Sequence, residues 1–212
     1  AAEVIEKCVL HLDLQSLDLN QIVRLCKRYG MYSALAYVFT RALNDFMTPM
    51  EEIFNASLHT EFEQRKPLRH LMLFMYRTLQ GESFPVGGSK LAEEAMLKFH
   101  SQLMQFLLQP VSGDEFGVDI ESNATISDAW KRAVRLTQES KSGLAPIRLL
   151  YLLLAEPKPI CDVLTLALRE WDATESEVFS RESAGSDRMM SQIVAEAAVF
   201  AAAALSEGES TV

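Results

Sequence analysis

At 212 residues, with 49% apolar and 23% charged side chains, the chain has the composition of an ordinary folded protein and enough length to bury a sizeable core, which excludes intrinsic disorder as its default state. A formal net charge of −9 argues against a general nucleic-acid binder, which needs a concentrated basic surface to displace counterions. Three cysteines at unrelated spacings, Cys8, Cys26 and Cys161, make no disulfide framework and read as small core residues of a reduced, intracellular protein.

The opening Ala1-Ala2-Glu3 carries neither an initiator methionine nor a signal pattern and reads as the start of a segment excised from a longer chain. Glu3 to Leu12 then gives a short helix with Val4, Ile5, Cys8, Val9 and Leu12 on one side. Asp18 is a good N-cap, with Gln21 completing a capping-box pattern, and Gly30 is a C-terminal stop. Between them Leu19, Ile22, Val23, Cys26 and Tyr29 fall on one helical face, and Asn20, Arg24, Lys27 and Arg28 on the other. Met31 to Leu43 is apolar nearly all round and predicts an inner helix covered on more than one side. Ile22, Leu25, Cys26, Gly30, Tyr32, Ala34, Leu35 and Val38 are read as the structural core of this first hairpin.

Thr48-Pro49-Met50-Glu51 combines N-cap, proline at the first helical position and a capping-box glutamate, with Met50, Ile53, Phe54 and Leu58 inward. That helix is expected to fade near Lys66-Pro67, because a proline disfavours helical geometry in the residue before it. Positions 71, 72, 75, 76 and 79 mark another helix from Leu68 to Gly81. A flexible loop over 81–89 follows, and then a long helix from Leu91 to Leu108. Its inward positions are Ala92, Ala95, Met96, Phe99, Leu103, Phe106 and Leu107. Residues 111–127 hold acids without Lys or Arg and predict a mobile loop.

Ala129 to Thr137 predicts a modest helix with Trp130, Ala133 and Val134 inward, and Pro146 to Ala155 a central one. Pro157 and Pro159 break the chain, and Ile160 to Trp171 follows the helical template. Residues 173–187, rich in serine and charge, read as a second flexible connection before an alanine-rich helix from Met189 to Leu205. Its apolar run, Ile193 to Leu205, is 13 residues long and broken by Glu196, too short to cross a bilayer. About ten helices without a convincing strand give an all-α chain, a single α-solenoid segment over 1–212 built of stacked antiparallel helical hairpins.

Signals for chemistry are weak beside their structural readings. Cys8, His11, Cys26 and either His59 or His70 fit no zinc-ligand spacing. Gly87-Gly88-Ser89-Lys90 lacks the preceding glycine and strand of a phosphate loop. Asn55-Ala56-Ser57 and Asn123-Ala124-Thr125 match the glycosylation acceptor by chance in a reduced protein. Lys131, Arg132 and Arg135 form a solvated basic face, and the methionines read as packing. No nucleophile and base pair off, so the sequence proposes no catalytic, metal or cofactor-binding residue and no cofactor.

Cys8-Val-Leu-His11-Leu-Asp13, Leu17-Asp18, Leu25-Cys26 and Gly30-Met-Tyr32-Ser-Ala34-Leu35-Ala-Tyr37-Val38 resemble the clathrin-heavy-chain and vacuolar-protein-sorting class of helical repeats. Within that class they most resemble the subunit-eight family of the CORVET endosomal tethering complex, and Asp45-Phe46-Met47-Thr48-Pro49-Met50-Glu51 continues the likeness over roughly the first 60 residues. The resemblance implies a rod-like, non-catalytic segment of a cytoplasmic tether, peripheral on endosomal membranes. It further implies partner CORVET subunits and an endosomal Rab GTPase acting before membrane fusion. The alternatives are the equivalent segment of a HOPS subunit, another coat-like trafficking protein or, from a different class, an all-α enzyme. The family's propeller and zinc-binding RING parts have no counterpart here, so no metal chemistry is implied. The acidic and serine-rich stretches depart from the family pattern and read as insertions.

Overall fold

Local chemistry sets most of the helix ends. The structure, a computed structural model, describes residues 2–16, 18–58, 66–85, 89–108, 127–139 and 146–178. Among them stand nine α-helices, one 3-10 turn at Leu14–Ser16 and no strand beyond an isolated Glu82–Lys90 bridge. The fold is all-α, an α-solenoid of helical hairpins. Helix α1 is Ala2–Val9 and α2 is Leu19–Tyr29. The carboxylate of Asp18 accepts from the amides of Asn20 and Gln21 at 3.0 and 3.2 Å, and so caps α2. Gly30 ends it in the left-handed region at φ +61°, with the Met31 amide donating 2.9 Å to the Cys26 carbonyl and the Gly30 amide to Lys27. These two bonds close a Schellman motif that a residue with a Cβ would strain.

Helix α3 (Tyr32–Leu43) begins at Met31, which offers no capping side chain. Its first amides are satisfied from a distance: Glu6 on α1 accepts from Ser33 at 2.8 Å and from Ala34 at 3.3 Å. This is the main contribution of α1, because its expected apolar face stays largely in water. Val4 is 66% exposed and Ile5 51%, Cys8 and Leu12 are also exposed, and only Val9 is buried. An eight-residue helix touching chiefly α3 has just one side to cover. Glu6→Ala is expected to lower the unfolding free energy by about 1 kcal/mol, and Glu6→Gln, which keeps an acceptor, by less. Urea denaturation measures both, and an unchanged midpoint for Glu6→Ala refutes the capping role.

Helix α4 (Met47–Leu58) is capped by Asp45 rather than by the expected Thr48. The Asp45 carboxylate accepts from the Met47 and Thr48 amides at 2.9 and 3.2 Å and from the Thr48 hydroxyl at 2.6 Å. A charged acceptor three residues upstream outcompetes the hydroxyl, and Pro49 falls third in the helix rather than first, still within the first turn, where no donor is needed. Helix α5 (Lys66–Leu79) begins around buried Pro67. The expected loop after it is pinned where described: Ser83 donates to the Ser89 carbonyl at 3.0 Å, and Leu91 to that of Gly81 at 2.8 Å. Helix α6 is Glu93–Leu108, and its first turn carries Glu93 and Glu94, as the macrodipole favours.

Helix α7 is Asp128–Glu139, α8 is Ile147–Ala155 and α9 is Pro157–Val178. Pro157 and Pro159 open α9 instead of breaking the chain after it has begun, since a missing amide costs nothing in the first turn. The helix also runs on through 174–178, where the sequence reads as a flexible connection but holds no Gly or Pro to stop it. The acidic stretch up to residue 126, the remainder of the serine-rich stretch and the expected helix from Met189 to Leu205 lie outside the described residues.

The chain divides into two compact units, Ala1–Leu103 and Met104–Val212. In the first, α2 packs on α3, and α3 on α1, α4 and α5, with α4 and α5 forming the next pair. Its aromatic core joins Phe46 to Phe99, Phe74 to Phe84 and Phe74 to Phe99, with centroids 5.4, 5.4 and 6.1 Å apart in tilted or edge-on geometry. Two side chains of α6 hold the corner between α3 and α4. Lys98 Nζ donates to the Asn44 carbonyl at 2.5 Å, and Gln102 Oε1 accepts from the Phe46 amide at 3.1 Å. In the second unit α8 packs against both α7 and α9, Trp130 meets Tyr151 edge-on at 5.6 Å, and the Arg148 guanidinium lies 4.9 Å over Phe106.

Candidate functional site

The first hairpin carries every residue singled out for its core, and the structure sorts them by depth. Cys26, Ala34, Leu35 and Val38 are buried, while Ile22, Gly30 and Tyr32 are half-buried. Leu25 is not core: it stands 47% exposed on the outer face of α2. Cys26 turns toward α3, and its neighbour in sequence is rotated about 100° away, past the edge of a contact stripe one helix wide. Tyr29, also expected inward, is 53% exposed where α2 runs beyond the edge of that contact.

The outer face of α2 is therefore a mixed patch. Leu25 and Tyr29 lie beside Arg24 and Arg28, all four exposed, with the Arg28 guanidinium 5.6 Å from the Tyr29 ring centroid. Lys27, on the flank, pairs with Glu52 of α4 at 2.7 Å and ties the two hairpins together at the surface. Sequence periodicity read the arginines as solvent-facing but not their two apolar companions. The i, i+1, i+4, i+5 spacing of Arg24, Leu25, Arg28 and Tyr29 was the available signal.

Reactive groups in this hairpin are held quiet. Burial, with a smaller push from the Glu6 carboxylate, drives the Cys26 thiol up to about 11, so it stays protonated and non-nucleophilic at neutral pH. Burial also raises the Tyr32 phenol, whose ring packs 5.8 Å from that of His70. His70 Nδ1 lies 2.8 Å from the Lys66 carbonyl oxygen. Among the described residues no three His, Cys, Asp or Glu side chains gather as a metal site, and no helix is long and apolar enough to cross a membrane. The hydroxyl of Ser57, in the first glycosylation-like triplet, is buried and donates to the Phe54 carbonyl at 2.6 Å. On α7, Lys131 and Arg132 are half-buried and Arg135 is exposed.

Comparison with known proteins adds identity to this geometry. A family model described as Vps8 central TPR matches residues 1–130. The vacuolar protein sorting-associated protein 8 homologs of Mus musculus and Homo sapiens are each 30% identical over 114 residues, which is 50% of this chain and 8% of theirs. Vacuolar protein sorting-associated protein 8 of Saccharomyces cerevisiae is 26% identical over 117 residues, 52% of this chain and 9% of its own length. The chain thus spans under a tenth of these curated relatives. No solved structure gives a significant match.

Proposed function

Because the chain belongs to the Vps8 central TPR family, we propose that it is a non-catalytic scaffold segment of an endosomal vesicle-tethering complex of the CORVET type. In this reading the stacked hairpins hold partner subunits in place and support Rab-dependent tethering before fusion in endosomal and vacuolar protein transport. Its place is cytoplasmic and peripheral on endosomal membranes, reached through the complex rather than by insertion. The observation that carries the reading is a coincidence of ranges. The residues matched by the repeat family include those built into α1 through α6, and within them α2, α3, α4 and α5 turn their inner faces to packing on one another. What such helices leave to a partner is their outer surface, and on α2 that surface already pairs apolar with cationic groups.

Affinity capture tests the proposal. The full chain is expected to retain purified tether subunits, and to retain an endosomal Rab GTPase in its GTP-loaded state over its GDP-loaded state. Retention of neither overturns the tether assignment and leaves the α-solenoid untouched.

A further inference from the structure

A cavity of about 380 Å³ opens in the first unit between the end of α3, α5 and the connection into α6. Its apolar lining includes Phe46, Phe74 and Phe84, three buried rings. Arg41, in the last turn of α3, and Lys90, just ahead of α6, also line it and are exposed. Neither makes an ion pair among the described residues. Asp45, the acid nearest Arg41 in sequence, is committed to the first amides of α4 and Glu82 to Arg77, while Glu93 and Glu94, three and four residues past Lys90, are exposed in the first turn of α6 and do not line the cavity. The hydroxyls that line the cavity are committed too, since Thr40 donates to the Ala36 carbonyl at 2.8 Å, Thr78 to that of Phe74 at 2.7 Å, and the Ser83 hydroxyl pairs with that of Ser89 at 2.6 Å.

Two cations that share a cavity with three phenyl rings and make no ion pair among the described residues, in a chain of net charge −9, are complementary to a ligand that joins carboxylates to an apolar side chain. We propose that this cavity docks an acidic peptide segment of a partner protein, which inserts one aromatic or branched apolar side chain against Phe46, Phe74 and Phe84 and sets flanking carboxylates on Arg41 and Lys90. Its size, at the low end of ligand pockets of roughly 300–1,000 Å³, suits one or two side chains and not a folded domain. A phosphate-bearing headgroup fits less well: it draws on several donors at once, and here only two cations remain to give them while the rings would face an ionic ligand. The site follows from the fold alone and does not depend on the tethering role.

The test is fluorescence anisotropy on the full chain with two labelled probes, Gly-Ser-Asp-Asp-Phe-Glu-Asp-Ser-Gly and the same peptide with Leu in place of Phe. Binding is expected to weaken roughly tenfold with Arg41→Glu or Lys90→Glu and to fall with salt. It is also expected to weaken when the central residue becomes Ser or the acids become amides. Both positions are exposed, so an unchanged melting temperature verifies that the variants are folded, and Arg41→Gln and Lys90→Gln serve as milder versions. Three results overturn the proposal. The first is failure of both peptides to bind at about 1 mM. The second is binding indifferent to these substitutions. The third is capture of phosphatidylserine vesicles through Arg41 and Lys90 while the peptides stay free, which assigns the cations to a membrane.

Discussion

Leu35→Asp is expected to lower the stability of the first unit by at least about 4 kcal/mol, enough to unfold a marginal domain. Leu35 is 1% exposed in α3, the helix that packs against α1, α2, α4 and α5. A carboxylate there meets neither water nor a compensating cation: its buried neighbours in the helix are Ala34, Ala36 and Val38. Thermal and urea denaturation read the loss. Leu25→Asp is the control, ten residues earlier and on the outside, and is expected to stay within about 0.5 kcal/mol of the parent. A melting temperature unchanged by Leu35→Asp would remove α3 from the centre of the fold.

Phe99→Ala is the second large effect, about 3–5 kcal/mol. Phe99 is fully buried on α6 and is the ring that joins Phe46 to Phe74, which in turn meets Phe84. Its removal leaves a cavity that three rings from three different stretches of chain cannot close together without moving their backbones. Phe99→Leu, which keeps most of the volume, is expected to cost less. Hydrogen exchange gives the sharper readout, with protection falling first at the Phe46 amide and along α5 and α6. An equal loss across the second unit would mean that Phe99 does not act through this cluster.

Much of the fold is legible in the residues themselves wherever the determinant is local. Asp18 and Gly30 bracket α2 in the sequence and in the structure, because an Asx cap and a left-handed glycine act within a few residues of themselves. The apolar run from Met31 to Leu43 gives an inner helix because it has no polar face to offer to water. What local pattern misses is of two kinds. Periodicity reveals that a helix has an apolar side but not how wide a stripe its neighbour covers, so Val4, Ile5, Leu25 and Tyr29 fall outside it. Partners far along the chain leave no local trace, so the cap that Glu6 gives to α3 and the hold of α6 on the Asn44 to Phe46 corner are invisible before folding. The family likeness rests on the hairpin residues near the start. The patch on α2 is local in sequence and only its exposure is decided by packing, whereas the cavity beside Arg41 arises from side chains brought together only in three dimensions.

That hold on the corner bears on how the first unit responds to being pulled. Lys98 and Gln102 sit one turn apart on α6 and grip the elbow after α3 by a carbonyl and by an amide. One donates and the other accepts, so sliding α6 along its axis strains both attachments at once. Tension that tries to straighten the elbow is thus shared with a helix more than fifty residues downstream. The bend acts as a braced joint rather than a hinge, and it gives way only when α6 lets go.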